Sequence, residues 1–305
     1  MYYLYVSGQT LYMNEKFYIY DIGNNMIFIF NKDGSYDKKL SKKGIGPGDY
    51  IQIIDFNLID KDILIMDHSR AIKKYNFNIE FVNEFKFNTY SSQFIIKDEN
   101  IFLLNESTGL NTDYYISSIN TLNNRTQNYI KMPFSSFRND WVGGVNAFVI
   151  NNNYVYMSPK FGSIIYCYTN DNYYPKYKIK FNKNNFPENK NIYEFIHDIN
   201  FPYVVKRNYY MSDKYLIFDY LCDNIRHYGF YDKVNKTLSN GIINNDLIKE
   251  FRFFPRWGND NYLIEEVEAE YVINDFKSLI DINEQLKELK EDDNPVIILY
   301  TLKSD

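Results

Sequence analysis

Few residues of this chain have the type and spacing that chemistry demands. It contains three histidines and two cysteines. No HxH or HExxH spacing is present for zinc, and Cys167 and Cys222 are too far apart for a CxxC site or a disulfide framework. No GxSxG elbow exists to seat a serine nucleophile. Asp67-His68 and His197-Asp198 are sequence neighbours, so on a strand their side chains diverge and neither forms an oriented acid–base couple. Asp21, Asp67 and Asp219 each end an apolar run before a tight turn, where an aspartate bonds its own downstream backbone. What remains is a set suited to holding a ligand. Arg138 and Trp141 share one long polar segment, His197 lies in another, Arg207 follows it, and Arg256 adjoins Trp257. Tryptophan beside arginine suits a flat or anionic ligand. The competing reading is that Trp141 and Trp257 only fill space between packed elements.

The elements that must position these residues are strands. Aromatic residues make up 19% of the chain, with 31 Tyr and 24 Phe, while Ala is scarce. That composition favours pleated, half-buried surfaces over helices. A unit recurs: an apolar run of strand length, a turn-former, a short polar link and a second strand. Phe17–Asp21 leads to Asn25–Phe30, Ile63–Asp67 to Ile72–Tyr75, Tyr215–Asp219 to Ile225–Tyr228, and, more weakly, Val155–Pro159 to Ile164–Tyr168. A tip such as Asn31-Lys32-Asp33-Gly34-Ser35 and a third run follow, and a shorter strand precedes. Four antiparallel strands in about 45 to 55 residues is the size of a propeller blade.

Six such units fill the chain, near 10–41, 54–87, 92–132, 146–181, 203–243 and 251–302. The expected fold is all-β: one six-bladed β-propeller domain over residues 1–305, with four-stranded antiparallel blades. The last unit is short of one strand, which Tyr2–Val6 would fill, closing the ring. Residues 275–291 have helical spacing of Ile280, Ile282, Leu286 and Leu289, so a short helix is expected there, inserted in the last blade over one face of the disc.

Between the first two units stands Gly44-Ile45-Gly46-Pro47-Gly48-Asp49-Tyr50. A phosphate loop would need a helix next, and a strand-like run follows, so these glycines read as a crossing between blades. The segment resembles the signature after the first blade in six-bladed propellers of Bacteroidetes, which look like NHL-repeat and TolB-type propellers. Asp67, Tyr75-Asn76 and Asp293-Asn294-Pro295 before Val296–Tyr300 match further features. The resemblance implies the fold and an exported, periplasmic or cell-surface protein. It implies no established activity, and the first residues do not read as a signal peptide.

Function is therefore expected at the mouth where inter-blade connections gather. The first reading is a non-catalytic propeller that binds a small molecule, glycan or protein segment through Arg138, Trp141, His197, Arg207, Arg256 and Trp257, with no cofactor and no metal. The alternative is a lactonase-like, metal-dependent hydrolase with a divalent ion such as Ca²⁺ in the channel, which needs several converging carboxylates. A net charge of -5 argues against nucleic acid. No apolar run reaches the length of a transmembrane span, and a monomer is expected.

Overall fold

The computed structural model describes residues 7–105, 113–131, 146–159, 161–187, 201–223, 225–246, 253–259 and 261–302. Its strands form six antiparallel sheets in chain order. The first holds β1 (Ser7–Met13), β2 (Lys16–Asp21), β3 (Met26–Asn31) and β4 (Tyr36–Leu40), and the second β5 (Ile53–Ile59), β6 (Asp62–Asp67), β7 (Ala71–Asn76) and β8 (Phe81–Lys86). The third holds β9 (Ser91–Lys97), β10 (Asn100–Asn105), β11 (Tyr114–Asn120) and β12 (Thr126–Lys131). The fourth holds β13 (Phe148–Asn151), β14 (Tyr154–Met157), β15 (Ile164–Thr169) and β16 (Asn172–Lys178), and the fifth β17 (Val205–Met211), β18 (Tyr215–Cys222), β19 (Ile225–Asp232) and β20 (Thr237–Gly241). The sixth has three strands among the described residues: β21 (Trp257–Gly258), β22 (Tyr262–Val267) and β23 (Val296–Thr301). Tyr2–Val6, expected to supply its fourth strand, lies outside the described residues.

Local chemistry explains the hairpins. The tight turns carry Asn14-Glu15, Asn152-Asn153 and Asn170-Asp171, all at positive φ. Asn and Asp tolerate that region better than other residues with a Cβ, and a two-residue turn of this kind matches the twist of its flanking strands.

The sheets pack face to face around an axis. Six sheets in an open row would share five seams, but the buried clusters define six. One joins blades 1 and 2 through Tyr18, Ile29, Phe56 and Tyr75. Leu64, Ile72, Phe94 and Leu103 join blades 2 and 3, and Phe102, Tyr129, Phe148 and Tyr173 join blades 3 and 4. Tyr156, Ile165, Tyr209 and Phe218 join blades 4 and 5, and Tyr210, Ile217 and Leu263 join blades 5 and 6. The sixth seam brings Tyr12, Phe17 and Ile19 of blade 1 against Trp257 and Ile264 of blade 6. The ring is closed: the fold is a six-bladed propeller.

Tyrosine is the residue this architecture uses most. Its ring fills a seam and its hydroxyl reaches the chain crossing above. Tyr20, Tyr75, Tyr209, Tyr210 and Tyr228 donate to the carbonyls of Ile53, Gly48, Ala147, Pro255 and Phe253 at 2.9, 2.6, 3.0, 2.8 and 2.7 Å. The glycine-rich crossing belongs to this scheme. Gly48 has φ +78, and a Cβ there would sit 2.6 Å from the Phe81 ring. Tyr50 is fully buried and donates to the Asn25 carbonyl at 3.0 Å.

Strand direction sorts the loops. Among the described residues, the ends of the fourth strands, the starts of the first strands and the turns between the second and third strands of each blade lie on one face of the disc. The helical insertion is one of these connections, running between β22 and β23. It comprises α1 (Ala269–Asp275), α2 (Lys277–Ile282) and a 3₁₀ turn (Glu284–Glu288), so it starts earlier than expected and is broken. Ala269 and Val272 extend the apolar stripe upstream, and Phe276 at φ -120 interrupts the helix between α1 and α2. Val272 and Leu279 pack with Val267 of β22, and Val296 and Ile298 of β23 lean against them.

Candidate functional site

On the connection face, three neighbouring blades leave a cavity of about 600 Å³. The end of β12 and the start of β11 in blade 3 form one side. The turn after β14 and the end of β16 in blade 4 form another, and the entry to β17 in blade 5 completes it. Its walls are largely apolar and aromatic, including Tyr115, Phe161, Tyr166, Phe181 and Phe186. A cavity of this size and character suits a small organic ligand.

The local sequence builds it. After β16 the chain folds back at Asn185, whose side chain accepts from the Phe181 N–H at 2.9 Å and donates to the Phe181 carbonyl at 2.6 Å. Val204 N–H then donates to the Asn184 carbonyl at 2.8 Å, which fixes the path into β17. Across the cavity, Gly162 N–H closes a turn onto the Pro159 carbonyl at 2.9 Å. Phe161 in this turn has φ 60, an uncommon value for a bulky side chain.

Four lysines line the cavity: Lys131, Lys178, Lys180 and Lys206; the described lining residues include no carboxylate. The first three are exposed, and Lys206 is 1% exposed. Lys206 pairs across the strands with Tyr220, so both side chains leave the sheet toward blade 4. The Tyr220 ring meets Phe181, a wall residue, at 4.9 Å between centroids. The Lys206 Nζ has no hydrogen-bond partner. Burial pulls its pKa down to about 8, against the opposing pull of Asp219.

A second polar group lies on the other face of blade 5. Between Lys206 and Tyr209 a bulge sets both Arg207 and Asn208 opposite Asp219. Asp219 Oδ1 accepts from the Asn208 N–H at 2.8 Å, and Oδ2 stands 3.4 Å from Arg226 Nε without a hydrogen bond. Burial raises the Asp219 pKa, opposed by Arg226, the Asn208 N–H, Arg207 and Lys206. The Arg226 guanidinium lies 3.4 Å over the ring of Phe254. Beyond it Glu265 accepts from the Phe254 N–H at 2.7 Å and from Tyr300 at 3.0 Å. Burial pushes Glu265 up to about 7.

Of the residues singled out from sequence, Arg207 and Arg256 come toward this second group: Arg207 interacts electrostatically with Arg226 and Asp219, and Arg256 with Glu265. Trp257 is 3% exposed and packs inside the seam between blades 6 and 1, with the Arg256 guanidinium 6.0 Å from its ring. Arg138, Trp141 and His197 lie outside the described residues. The cavity lysines were missed. Lys178 and Lys180 alternate at a strand end, but only strand register shows that they share a face with each other and meet Lys131 and Lys206.

Asp21 and Asp67 both serve the backbone, Asp21 through the downstream bond its position suggested, whereas Asp67 reaches back to the crossing that precedes β5. Asp21 accepts from the Asn24 N–H at 2.9 Å, and Asp67 from the Ile51 and Gln52 N–H groups at 3.0 and 2.9 Å. Among the described residues no group of three or more His, Cys, Asp or Glu side chains could hold a metal ion. No helix among them is long and apolar enough to cross a membrane.

Comparison with solved structures agrees with the architecture. A candidate exported protein of Bacteroides fragilis is similar over 97% of this chain and 90% of its own, at TM-score 0.74 and 18% identity. A member of the DUF4221 family from Bacteroides vulgatus is similar over 98% of this chain and 92% of its own, at TM-score 0.57 and 13% identity. At these identities the likeness is one of fold. No curated protein matches the sequence. The family is nonetheless shown by the sequence itself: residues 7–301 match the domain of unknown function DUF4934, and the chain belongs to that family.

Proposed function

We propose that this protein is a non-catalytic binding propeller whose ligand is a small molecule seated in the cavity between blades 3, 4 and 5. The observation that carries the reading is the cavity itself: about 600 Å³, walled by aromatic rings, on the face where the connections gather. Propellers with loops converging on one face use that face for recognition. Arg207 and Arg256 belong to the proposal as charges on the same face. The hydrolase alternative finds no converging carboxylate set among the described residues, so the binding reading is preferred.

The kinship to NHL-repeat and TolB-type propellers, a monomeric state, and a periplasmic or cell-surface location are part of the same proposal. The kinship and the location rest on the Gly44–Tyr50 motif and on the fold shared with a candidate exported protein.

The test is to fill the cavity. Ser163 lines it, and Ser163→Trp is expected to abolish binding of small aromatic ligands, measured by calorimetry, while the unfolding midpoint stays close to the parent. Unchanged binding in that variant would remove the cavity from consideration. Turnover of lactones on addition of Ca²⁺ or Mg²⁺, with one equivalent of metal retained, would favour the hydrolase instead.

A further inference from the structure

We infer that the cavity selects an organic anion, a compact acidic head on an apolar or aromatic body, and that Lys206 is the residue that reads the charge. This rests on the reading of the cavity as the binding site and names its ligand class.

Three observations lead to it. The chain is acidic overall, at -5, yet four lysines and no carboxylate line this one cavity among the described residues. Cations gathered around one space raise its potential and favour an anion that enters it. The second observation is Lys206. A buried ammonium without an acceptor is costly, and native interiors normally supply one. Asp219 attracts it, but its two oxygens are engaged by Asn208 and Arg226 on the opposite side of the strand. An acceptor arriving from the cavity would complete the site. The third is the wall. Tyr166, Phe181 and Phe186 give an apolar body somewhere to pack, so a bare inorganic ion would use only part of the space.

The roles divide by depth. Lys131, Lys178 and Lys180 at the rim raise the local concentration of anions and are screened by salt. Lys206 sits at the inner end, where low dielectric makes a charge-assisted bond strong. Its lowered pKa has a consequence: the ammonium is partly deprotonated above pH of about 8, so anion affinity falls there as Lys206 loses its proton. The charged group that acts on it is Asp219, and its Nζ lies 5.4 Å from the centroid of the Tyr209 ring.

The experiment uses three probes of one shape: naphthylacetate, naphthylacetamide and naphthylethylamine. Each is titrated into the full chain by calorimetry at neutral pH. The anion is expected to bind about ten- to a hundredfold more tightly than the amide, the worth of one charge-assisted hydrogen bond, and the amine more weakly than either. Lys206→Met should erase most of that preference, lowering anion affinity far more than amide affinity. Lys131→Met with Lys180→Met, both exposed positions, should lower anion affinity several-fold and flatten its salt dependence, and this pair keeps the proposal testable if the Lys206 variant does not fold. If all three probes bind equally and Ser163→Trp abolishes all three, the cavity is a site and the charge inference is wrong. If none binds, or binding ignores Ser163→Trp, the cavity reading falls and the inference falls with it.

Discussion

Blades 2 and 5 each bury an aspartate on the second strand, Asp67 at the end of β6 and Asp219 inside β18 before residues 220–222, and use it for opposite purposes. Asp67 is fully satisfied. Its Oδ1 accepts from Ile51 and Gln52, which fixes the entry into β5, the first strand of the same blade, and its Oδ2 accepts from the Ser69 hydroxyl at 2.6 Å. Asp219 is equally buried but accepts a single backbone bond, and its other oxygen faces Arg226 without bonding it. Both first strands bulge beside the aspartate, β5 between Ile53 and Asp55 and β17 between Lys206 and Tyr209. In β17 the residues set opposite Asp219 are Arg207 and Asn208, so one backbone N–H reaches the carboxylate and cations gather around it. In blade 2 the aspartate builds the fold. In blade 5 it sits among Arg207, Asn208 and Arg226 on the face turned away from the cavity, with one oxygen unbonded.

The largest expected effect tests that contrast. Asp67→Ala empties a buried position and leaves the Ile51 and Gln52 N–H groups and the Ser69 hydroxyl without their acceptor, and should cost about 3 kcal/mol of stability in denaturant unfolding. Asp219→Ala loses one such acceptor and relieves the burial of a poorly bonded charge, so about 1 kcal/mol is expected. Equal costs would show that both serve the backbone alike.

Next in size is Lys206. Its folded pKa of about 8 lies below the unfolded value, so the unfolded chain binds the extra proton between about pH 8 and 10 and stability contributed by this group rises over that window. Lys206→Met removes the titration. At neutral pH the variant should be more stable than the parent by about 1 kcal/mol, and the gain should shrink as pH rises toward 10. A destabilised Lys206→Met at every pH would mean that the amine is already paired, which undercuts the anion site as well.

Much of this fold was legible in sequence because each blade repeats the same local physics: apolar runs of strand length, Asn and Asp where a turn needs positive φ, tyrosines where a seam must end in a hydrogen bond. The glycine-rich crossing and Asp21 were readable for the same reason, since their partners are close in the chain, whereas Asp67 reaches back to Ile51 and Gln52. The site was not. Lys131, Lys178, Lys180 and Lys206 come from three blades, and none is unusual in its own segment. The bulge in β17 adds a residue without changing the apolar pattern around it. Trp257 drew attention by its type and its neighbour Arg256, yet the alternation of β21 turns its ring into the seam. The insertion in blade 6 was placed late because Ala269 and Val272, its best-buried residues, directly follow a strand.

A smaller effect compares seams. Tyr210 links blades 5 and 6 through one bond to the Pro255 carbonyl at 2.8 Å. Tyr210→Phe keeps the ring and should cost about 1 kcal/mol. Loss of the whole seam, seen as a folding intermediate, would mean that this bond organises the connection above it rather than merely ending the ring.

The smallest effect concerns ring closure. Thr10 of blade 1 donates its hydroxyl to Glu266 of blade 6, the polar counterpart of the Trp257 seam. Burial raises Glu266 to about 7, opposed by Thr10 and Arg256 and assisted by Glu268. The group therefore binds its proton more tightly folded than unfolded. Its contribution is fully present below the unfolded value near 4.5 and is lost as pH rises through about 7. Glu266→Gln keeps an acceptor for Thr10 and removes the charge. Parent and variant should unfold alike at pH of about 4, and the variant should lead by less than about 1 kcal/mol at pH of about 8. If the parent leads at the higher pH instead, the ionised carboxylate is what holds blade 1 to blade 6, and the closing seam is electrostatic where the other five are apolar.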